Sequence, residues 1–249
     1  MSFRRHINGL EFCYRTLVER LGFATEDVHV LSYDGSLRSS REPDEGAASG
    51  RWPGDNTPYR LKITGEGSRA GFRAALAVIA RKLGPDDQLF INTTGTGGNH
   101  GNGCGPDLIV YPHARRYRRA EFCADIAALP AHRSLVVLMA QCFSGGFNQP
   151  VLTASRAQST FIASAAAETA PSFALPDDLS WDSFQRNFIA ALGGYDVDGV
   201  AHSRTGGRGA RPFTVGEAFE YAMRAPVRSP YDSPEFAARP AAAVNLTLG

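Results

Sequence analysis

The run Ser134-Leu-Val-Val-Leu-Met-Ala-Gln-Cys142-Phe-Ser-Gly-Gly-Phe147 decides how this chain is read. Leu135 to Ala140 are apolar without a break. That pattern suits a strand buried on both faces, as in a parallel sheet covered by helices. The strand runs directly into Cys142 and then Ser-Gly-Gly, small residues that let another backbone approach closely. In open parallel sheets ligands bind beyond the carboxyl ends of the strands, so a candidate site is expected at Cys142.

The same alternation extends in both directions. Ile7 to Gly22 carries a helical apolar period closed by Gly22, and Val28-His-Val-Leu-Ser-Tyr33 reads as a strand entering the turn Asp34-Gly35. Residues 36 to 60 are rich in Gly, Pro, Ser and charge and read as a long loop. Ser68 to Leu83 is a second amphipathic helix stopped by Gly84-Pro85. Gln88 to Thr94 is a buried strand that opens into the Gly-rich stretch 94–105. Arg119 to Leu129 is helical and Thr160 to Ser164 a short strand. Trp181 to Leu192 and Thr214 to Arg224 are amphipathic helices, separated by a Gly/Arg-rich loop over 194–212. Strands alternating with helices predict an α/β/α domain, a mainly parallel sheet covered on both faces. No linker or repeat divides residues 1–249, so a single domain is expected.

Composition excludes several classes. The 249 residues carry 26 Lys+Arg against 25 Asp+Glu, so no net field draws the chain to nucleic acid or anionic lipid. No apolar run reaches the roughly 18 residues of a membrane span, and the first residues lack the apolar core of a secretory signal. The four cysteines have no CxxC spacing and are too sparse for a disulfide scaffold. A cytoplasmic globular protein is expected, with no membrane or nucleic-acid partner.

The thiol at the strand end carries the chemistry. Backbone N–H groups around and after Cys142 could face a developing oxyanion, and a nearby imidazole would complete a Cys–His dyad for acyl transfer. The bland alternative is a buried core thiol, since cysteine packs well in cores. Cys13 and Cys123 fall inside helical patterns and read as packing residues. Cys104 lies in the Gly-rich stretch without metal-ligand spacing. A phosphate loop lacks its Lys-Ser/Thr, and a serine elbow at Ser144 would need Gly at position 142. Asp196-Val-Asp198-Gly199 lacks the carboxylate series of a calcium loop. Arg115, Arg116, Arg118 and Arg119 around Tyr117 read as a solvated loop face. His29, His113, His132 and His202 lack paired ligand spacing and read as structural or exposed.

Taken together, these residues resemble the caspase/legumain clan of cysteine peptidases, in the manner of the bacterial caspase-like, legumain-related proteins. The resemblance runs through Arg5-His-Ile-Asn, Leu31-Ser-Tyr-Asp-Gly, Trp52-Pro-Gly-Asp-Asn-Thr-Pro-Tyr, the Cys142 motif and Ala163-Ser-Ala-Ala-Ala-Glu. It continues into Gly216-Glu-Ala-Phe-Glu-Tyr-Ala and Ser233-Pro-Glu-Phe. It implies a caspase-like three-layer sandwich and an endopeptidase acting on a peptide or protein, with no metal or organic cofactor. Cys142 would be the nucleophile, backbone N–H groups around Gly97 and Cys142 the oxyanion donors, and Ser164 a substrate contact.

Two departures accompany the resemblance. The clan's His-Gly, counted from its strand, falls on Thr96-Gly97, and threonine cannot act as a general base near neutral pH. His100 stands four residues on, and four extended residues reach about 13 Å, so His100 is the candidate acid/base. If it does not serve, the chain is an inactive pseudopeptidase that binds a peptide or partner without cutting it. The clan also opens with an apolar strand at the centre of the sheet, whereas this sequence begins just after that point, so the first strand is expected to be missing or truncated. Arg4 and Arg5 lie where caspase-type chains carry a basic residue for an acidic side chain, a role suited to bidentate guanidinium recognition.

Overall fold

Ser134 to Met139 have no exposed surface at all, which accounts for the absence of polar residues there other than Ser134. The structure, a computed structural model, describes residues 4–37, 51–99, 106–110, 115–174, 180–201 and 212–249. The described elements begin with α1 (Arg4–Arg15), which continues as a π-turn over Thr16–Arg20 and ends at Gly22 in the left-handed region. Next come β1 (Val30–Leu31), β2 (Ile63–Gly65), α2 (Arg69–Ala80) and β3 (Gln88–Thr93). β4 (Thr96–Asn99), β5 (Pro106–Val110), β6 (Arg115–Arg118) and α3 (Arg119–Ala127) follow, then β7 (His132–Met139) and α4 (Asn148–Ala154). The chain closes with β8 (Ala157–Ser164), α5 (Ser183–Gly193), α6 (Val215–Arg224) and β9 (Glu235–Arg239).

The main sheet has the order β3-β7-β8-β9, with the first three strands parallel and β9 antiparallel to β8. β3 and β7 are neighbours in register from Gln88↔Ser134 to Thr93↔Met139, so their carboxyl ends lie side by side. Alternate residues of β7 enter two apolar clusters. Val136 and Leu138 join Phe12, Phe188 and Phe219 from α1, α5 and α6. Leu135, Val137 and Met139 join Leu76, Phe122 and Val151 from α2, α3 and α4. This is a mixed α/β fold around a mostly parallel sheet, and the alternation legible in the sequence is its cause.

Local chemistry sets the helix ends. Ser68 caps α2 by accepting from the Gly71 N–H, and Thr214 with Glu217 forms a reciprocal capping box on α6. Gly194 ends α5 at φ +74°, a conformation that suits a residue without Cβ.

The structure corrects several expectations. The strand read over Val28–Tyr33 pairs only at Val30–Leu31, and it lies with β2 in a separate two-stranded parallel sheet. The Gly-rich stretch is not loop throughout, since Thr96–Asn99 forms β4, the first strand of an antiparallel β4-β5-β6 sheet. The arginines read as a loop face lie on β6 and at the start of α3. There Arg116 faces Asp107 at 3.8 Å and Arg119 reaches Glu168 at 3.2 Å, so backbone pairing and counter-charges occupy what looked like a basic patch. α4 and β9 have no forecast in the sequence reading. His100, Cys104, His113, His202 and most of the 194–212 loop lie outside the described residues.

A buried ion pair ties the chain's first quarter together. Glu11, with no exposed surface, accepts from Arg15 Nε at 2.6 Å and from the N–H groups of Arg60 and Leu61 at 2.8 and 2.9 Å. Arg15 also donates to Asp55 at 3.0 Å and to Thr57 at 2.8 Å, and its guanidinium lies over the Trp52 ring. Segment 51–61 is thereby moored to α1. Removing one partner of a buried pair strands the other charge, at a cost of about 3–5 kcal/mol. Glu11→Ala is expected to lower stability by that amount in urea unfolding followed by tryptophan fluorescence; a change below about 1 kcal/mol would show that solvent compensates Arg15.

Candidate functional site

β7 delivers Ala140, Gln141 and Cys142 to the carboxyl edge of the main sheet. The chain then turns through Phe143 at φ +61°, ψ +16°, a left-handed conformation unusual for a bulky residue. Backbone held in so sparsely populated a region persists only where its surroundings fix it. The following loop does so here. The Phe143 N–H donates to Ala170 O at 2.8 Å and the Gly145 N–H to Ala166 O at 2.7 Å, while Arg119 Nη1 donates to Gly146 O at 3.0 Å. The Gly146 N–H is turned back to Phe143 O. The N–H groups of Phe143, Gly145 and Gly146 are therefore committed to internal acceptors.

Cys142 itself is half-buried. Its thiol donates to Ser172 O at 3.6 Å, and the Ser172 hydroxyl, 3.9 Å from the sulfur, is anchored on Ala140 O. Gln141 is wholly buried beneath it, its Oε1 accepting from Thr93 Oγ1 at 2.9 Å. The other described thiols are poor nucleophiles. Burial pushes Cys13 up to about 12 and Cys123 up to about 11, so neither forms thiolate near neutrality.

The second half of the site is β4. A Cβ on Gly97 would stand 2.0 Å from Cys142 O, so Thr96-Gly97 lies directly against the cysteine's backbone. Only glycine permits that approach. Thr96 thus stands beside the thiol turn, on β4 rather than at the end of the strand before it. Among the described histidines, His132 lies at the far end of β7 with Nδ1 on Pro130 O. His29 precedes β1 at the amino end of that strand. His6 sits 3.8 Å from Asp182, and burial lowers it to about 4 despite that carboxylate, so it is neutral at pH 7.

Arg5 lies at the same edge with Nε on Asp182 Oδ1 at 2.9 Å, and Asp182 Oδ2 accepts from Thr94 Oγ1 at 2.8 Å. Arg4 neighbours Tyr59. Ser164 has no exposed surface and gives its hydroxyl to Asn148 Oδ1 at 2.6 Å, so it faces the interior under α4. Asp196, where the sequence lacks the carboxylate series of a calcium loop, is held bidentately by Arg186. Among the described residues no cluster of three or more His, Cys, Asp or Glu is disposed to hold a metal.

Sequence reasoning missed Ser172, Asp182 and Asp232. Asp232 accepts the Phe173 N–H at 2.8 Å, next to the residue that holds the thiol, and Phe173 and Tyr231 meet edge to face as an exposed aromatic pair with centroids 5.6 Å apart. None of the three carries a local motif; they are brought together by loops from distant parts of the chain.

No protein-family model and no curated protein matches this chain. Among solved structures it is similar to protein GSU0716 from Geobacter sulfurreducens, with a TM-score of 0.52 and 14% identity over 74% of this chain and 81% of that one. At that identity the likeness speaks to the fold alone. No helix among the described residues is long and apolar enough to cross a membrane.

Two outcomes follow from this geometry. Gly97→Ala forces a methyl against Cys142 O. Overpacking of this kind costs typically about 1–3 kcal/mol, and it is expected to lower Tm and slow thiol labelling of Cys142 together; unchanged labelling would mean that β4 does not support the turn. Asp232 gives a pH signature. Burial pushes its carboxyl up to about 7 from 3.8, with Asp182 adding to the rise and the Phe173 N–H and Arg228 opposing it. The folded state then holds this proton at a pH where the unfolded chain has lost it. The contribution is complete below about pH 4 and disappears as pH rises to about 7. Asp232→Asn should flatten the stability profile between pH 4 and 7 in urea titrations, and an unaltered slope would reject the assignment.

Proposed function

We propose that this chain is a caspase/legumain-like cysteine endopeptidase with a three-layer sandwich fold and Cys142 as its nucleophile. The observation that carries the reading is the seating of Cys142. It lies on a constrained left-handed turn at the end of a central parallel strand, half-buried, with Gly97 of β4 against its backbone. A peptide laid across the ends of β3 and β7 passes the thiol on one side and the Phe173–Tyr231 pair on the other, which offers an apolar side chain a place to pack.

In this reading Cys142 Sγ attacks the scissile carbonyl carbon as thiolate. The oxyanion is received by backbone N–H groups of Gly97 and Cys142. Collapse breaks the C–N bond, the amine leaves with a proton from His100, and the thioester remains on Cys142. Water, giving its proton to His100, then releases the carboxylic acid and the thiol. Arg5 is held by Asp182, so an acidic substrate side chain would have to compete with that carboxylate for it. The free thiols Cys13, Cys123 and Cys142 suit a reducing compartment such as the cytoplasm.

A second reading, a pseudopeptidase that binds without cutting, is favoured by one specific feature: Thr96 stands beside the thiol turn where the clan places its imidazole. Labelling with electrophilic peptide probes separates the two. The peptidase reading expects an adduct on Cys142 at neutral pH that is lost in His100→Ala. The pseudopeptidase reading expects weak labelling insensitive to His100→Ala. In that case Thr96→His should raise it, since general acid–base help is worth typically about 10²–10⁴-fold. Cys142 inert in all three proteins would leave only a shared fold.

A further inference from the structure

The loop after β8, residues 165–174, is clasped on two sides. On one side lies the cysteine turn, whose Phe143 and Gly145 N–H groups donate to Ala170 O and Ala166 O. On the other lies the segment between α6 and β9. There Ser233 Oγ accepts the Ala167 N–H at 3.0 Å, and Asp232 Oδ1 accepts the Phe173 N–H at 2.8 Å. Two adjacent residues thus hold the two ends of one loop. Their own segment is anchored on α5, where Ser183 Oγ accepts the Ser229 N–H at 2.7 Å and Asn187 Nδ2 donates to Val227 O at 2.8 Å. Asp232 is presented from a fixed support.

The clasp at Phe173 reaches the thiol. Ser172 O and the Phe173 N–H belong to a single peptide unit, and in a trans unit the two point in opposite directions. Cys142 Sγ sits 3.6 Å from that oxygen, and the Asp232 carboxylate 2.8 Å from that nitrogen. The thiol and the carboxylate therefore face each other across one rigid plane. The plane is itself restrained: Ser172 Oγ donates to Ala140 O at 3.1 Å, and Pro171 before it has a fixed φ. A peptide whose N–H is drawn to an anion presents a more negative oxygen, since hydrogen bonds in a chain polarise one another. The harder Asp232 holds the nitrogen, the harder the oxygen holds the thiol hydrogen, and the thiolate is the form that reacts.

We infer that Asp232 is a positioning residue for Cys142: through the Ser172–Phe173 peptide unit its carboxylate keeps the thiol as a hydrogen-bond donor, a resting form that is released when Asp232 is neutral. This rests on the reading of Cys142 as the reactive thiol and is indifferent to whether a peptide is cut. Asp232 is half-buried, and burial raises its carboxyl to about 7, so its charge changes close to neutrality. Two charged groups face it. Asp182, ahead of α5 and paired with Arg5, disfavours the ionised form, and Arg228 on its own segment favours it. Glu235 of β9 and Glu168, the latter paired with Arg119, lie at the other end of the loop beside Gly145.

Methylthiolation of Cys142 by methyl methanethiosulfonate, read by mass spectrometry of its peptide, tests this without any peptide substrate. Asp232→Asn keeps an acceptor for the Phe173 N–H but not the charge. At about pH 5 it should label as fast as the parent chain, and at about pH 9 roughly 5-fold faster, because hydrogen bonds to charged groups are about twice as strong as neutral ones. Phe173→Pro removes the N–H and leaves the carboxylate, and it should match Asp232→Asn at the higher pH. In the unmodified chain the Phe173 amide proton should move downfield as Asp232 ionises around pH 7, an NMR measurement that needs no variant to fold. A ratio of Asp232→Asn to parent that stays constant from about pH 5 to about pH 9 overturns the inference. So does Phe173→Pro labelling as slowly as the parent, since the charge would then act through space, and so does a Phe173 amide that does not move. Failure of the peptidase reading looks different: peptide probes leave Cys142 unmodified while the small reagent still reports the pH-dependent ratio.

Discussion

Everything in this protein is arranged around one strand that has no face to water. β7 is paired in parallel on both edges, and its two faces feed two apolar clusters. A strand so placed cannot carry a charge at a mid-strand position, because an isolated ion in that environment would cost far more than the fold can supply. It also cannot slip by one residue without exchanging every side chain between two clusters of different shape. That double constraint fixes where Cys142 emerges. The turn that follows can then be strained at Phe143, since β7 holds one side of it and the loop after β8 the other.

Sequence legibility follows burial. Leu135–Ala140 and Gln88–Thr93 are readable because a short unbroken apolar run between turn residues suits a strand covered on both faces and little else, and their adjacency follows from the parallel architecture. The helices are readable from their apolar period, with Ser68 and Thr214 as caps. What cannot be read depends on pairing between segments. β4, β5 and β6 contain Thr96-Gly-Gly-Asn99 and Arg115-Arg-Tyr-Arg118, stretches of low strand propensity that become strands only by hydrogen bonding to one another. β9, with Ala237 and Ala238, likewise owes its conformation to β8. The short β1 shows the reverse case, a good strand pattern over Val28–Tyr33 that pairs with β2 over two residues only, with an irregular register between Val30 and Leu31.

The candidate site divides along the same line. Cys142 is legible because a continuous strand ends on it, and Gly97 because the approach of two backbones demands glycine. Ser172, Asp182 and Asp232 are not, since their contacts at the site are made across 30 residues or more, for example Ser172 with Cys142 and Asp182 with Arg5. Phe143 gives no signal either. A positive φ is ordinarily announced by glycine or asparagine, and here an aromatic residue occupies it.

The mooring of segment 51–61 through Glu11 and Arg15 also bears on how the molecule comes apart. β1 and β2 share no ladder with the main sheet and are held to it through α1, α2 and this one polar knot. Cooperativity in a sheet is transmitted along its ladders, and here it stops at the β3 edge. The first quarter of the chain is therefore tied to β7 by side-chain packing alone, through Phe12, Leu17 and Trp52 in the cluster around Val136 and Leu138. Loss of that packing would cost the first quarter its hold on the sheet without breaking a single rung of the β3-β7-β8-β9 ladder.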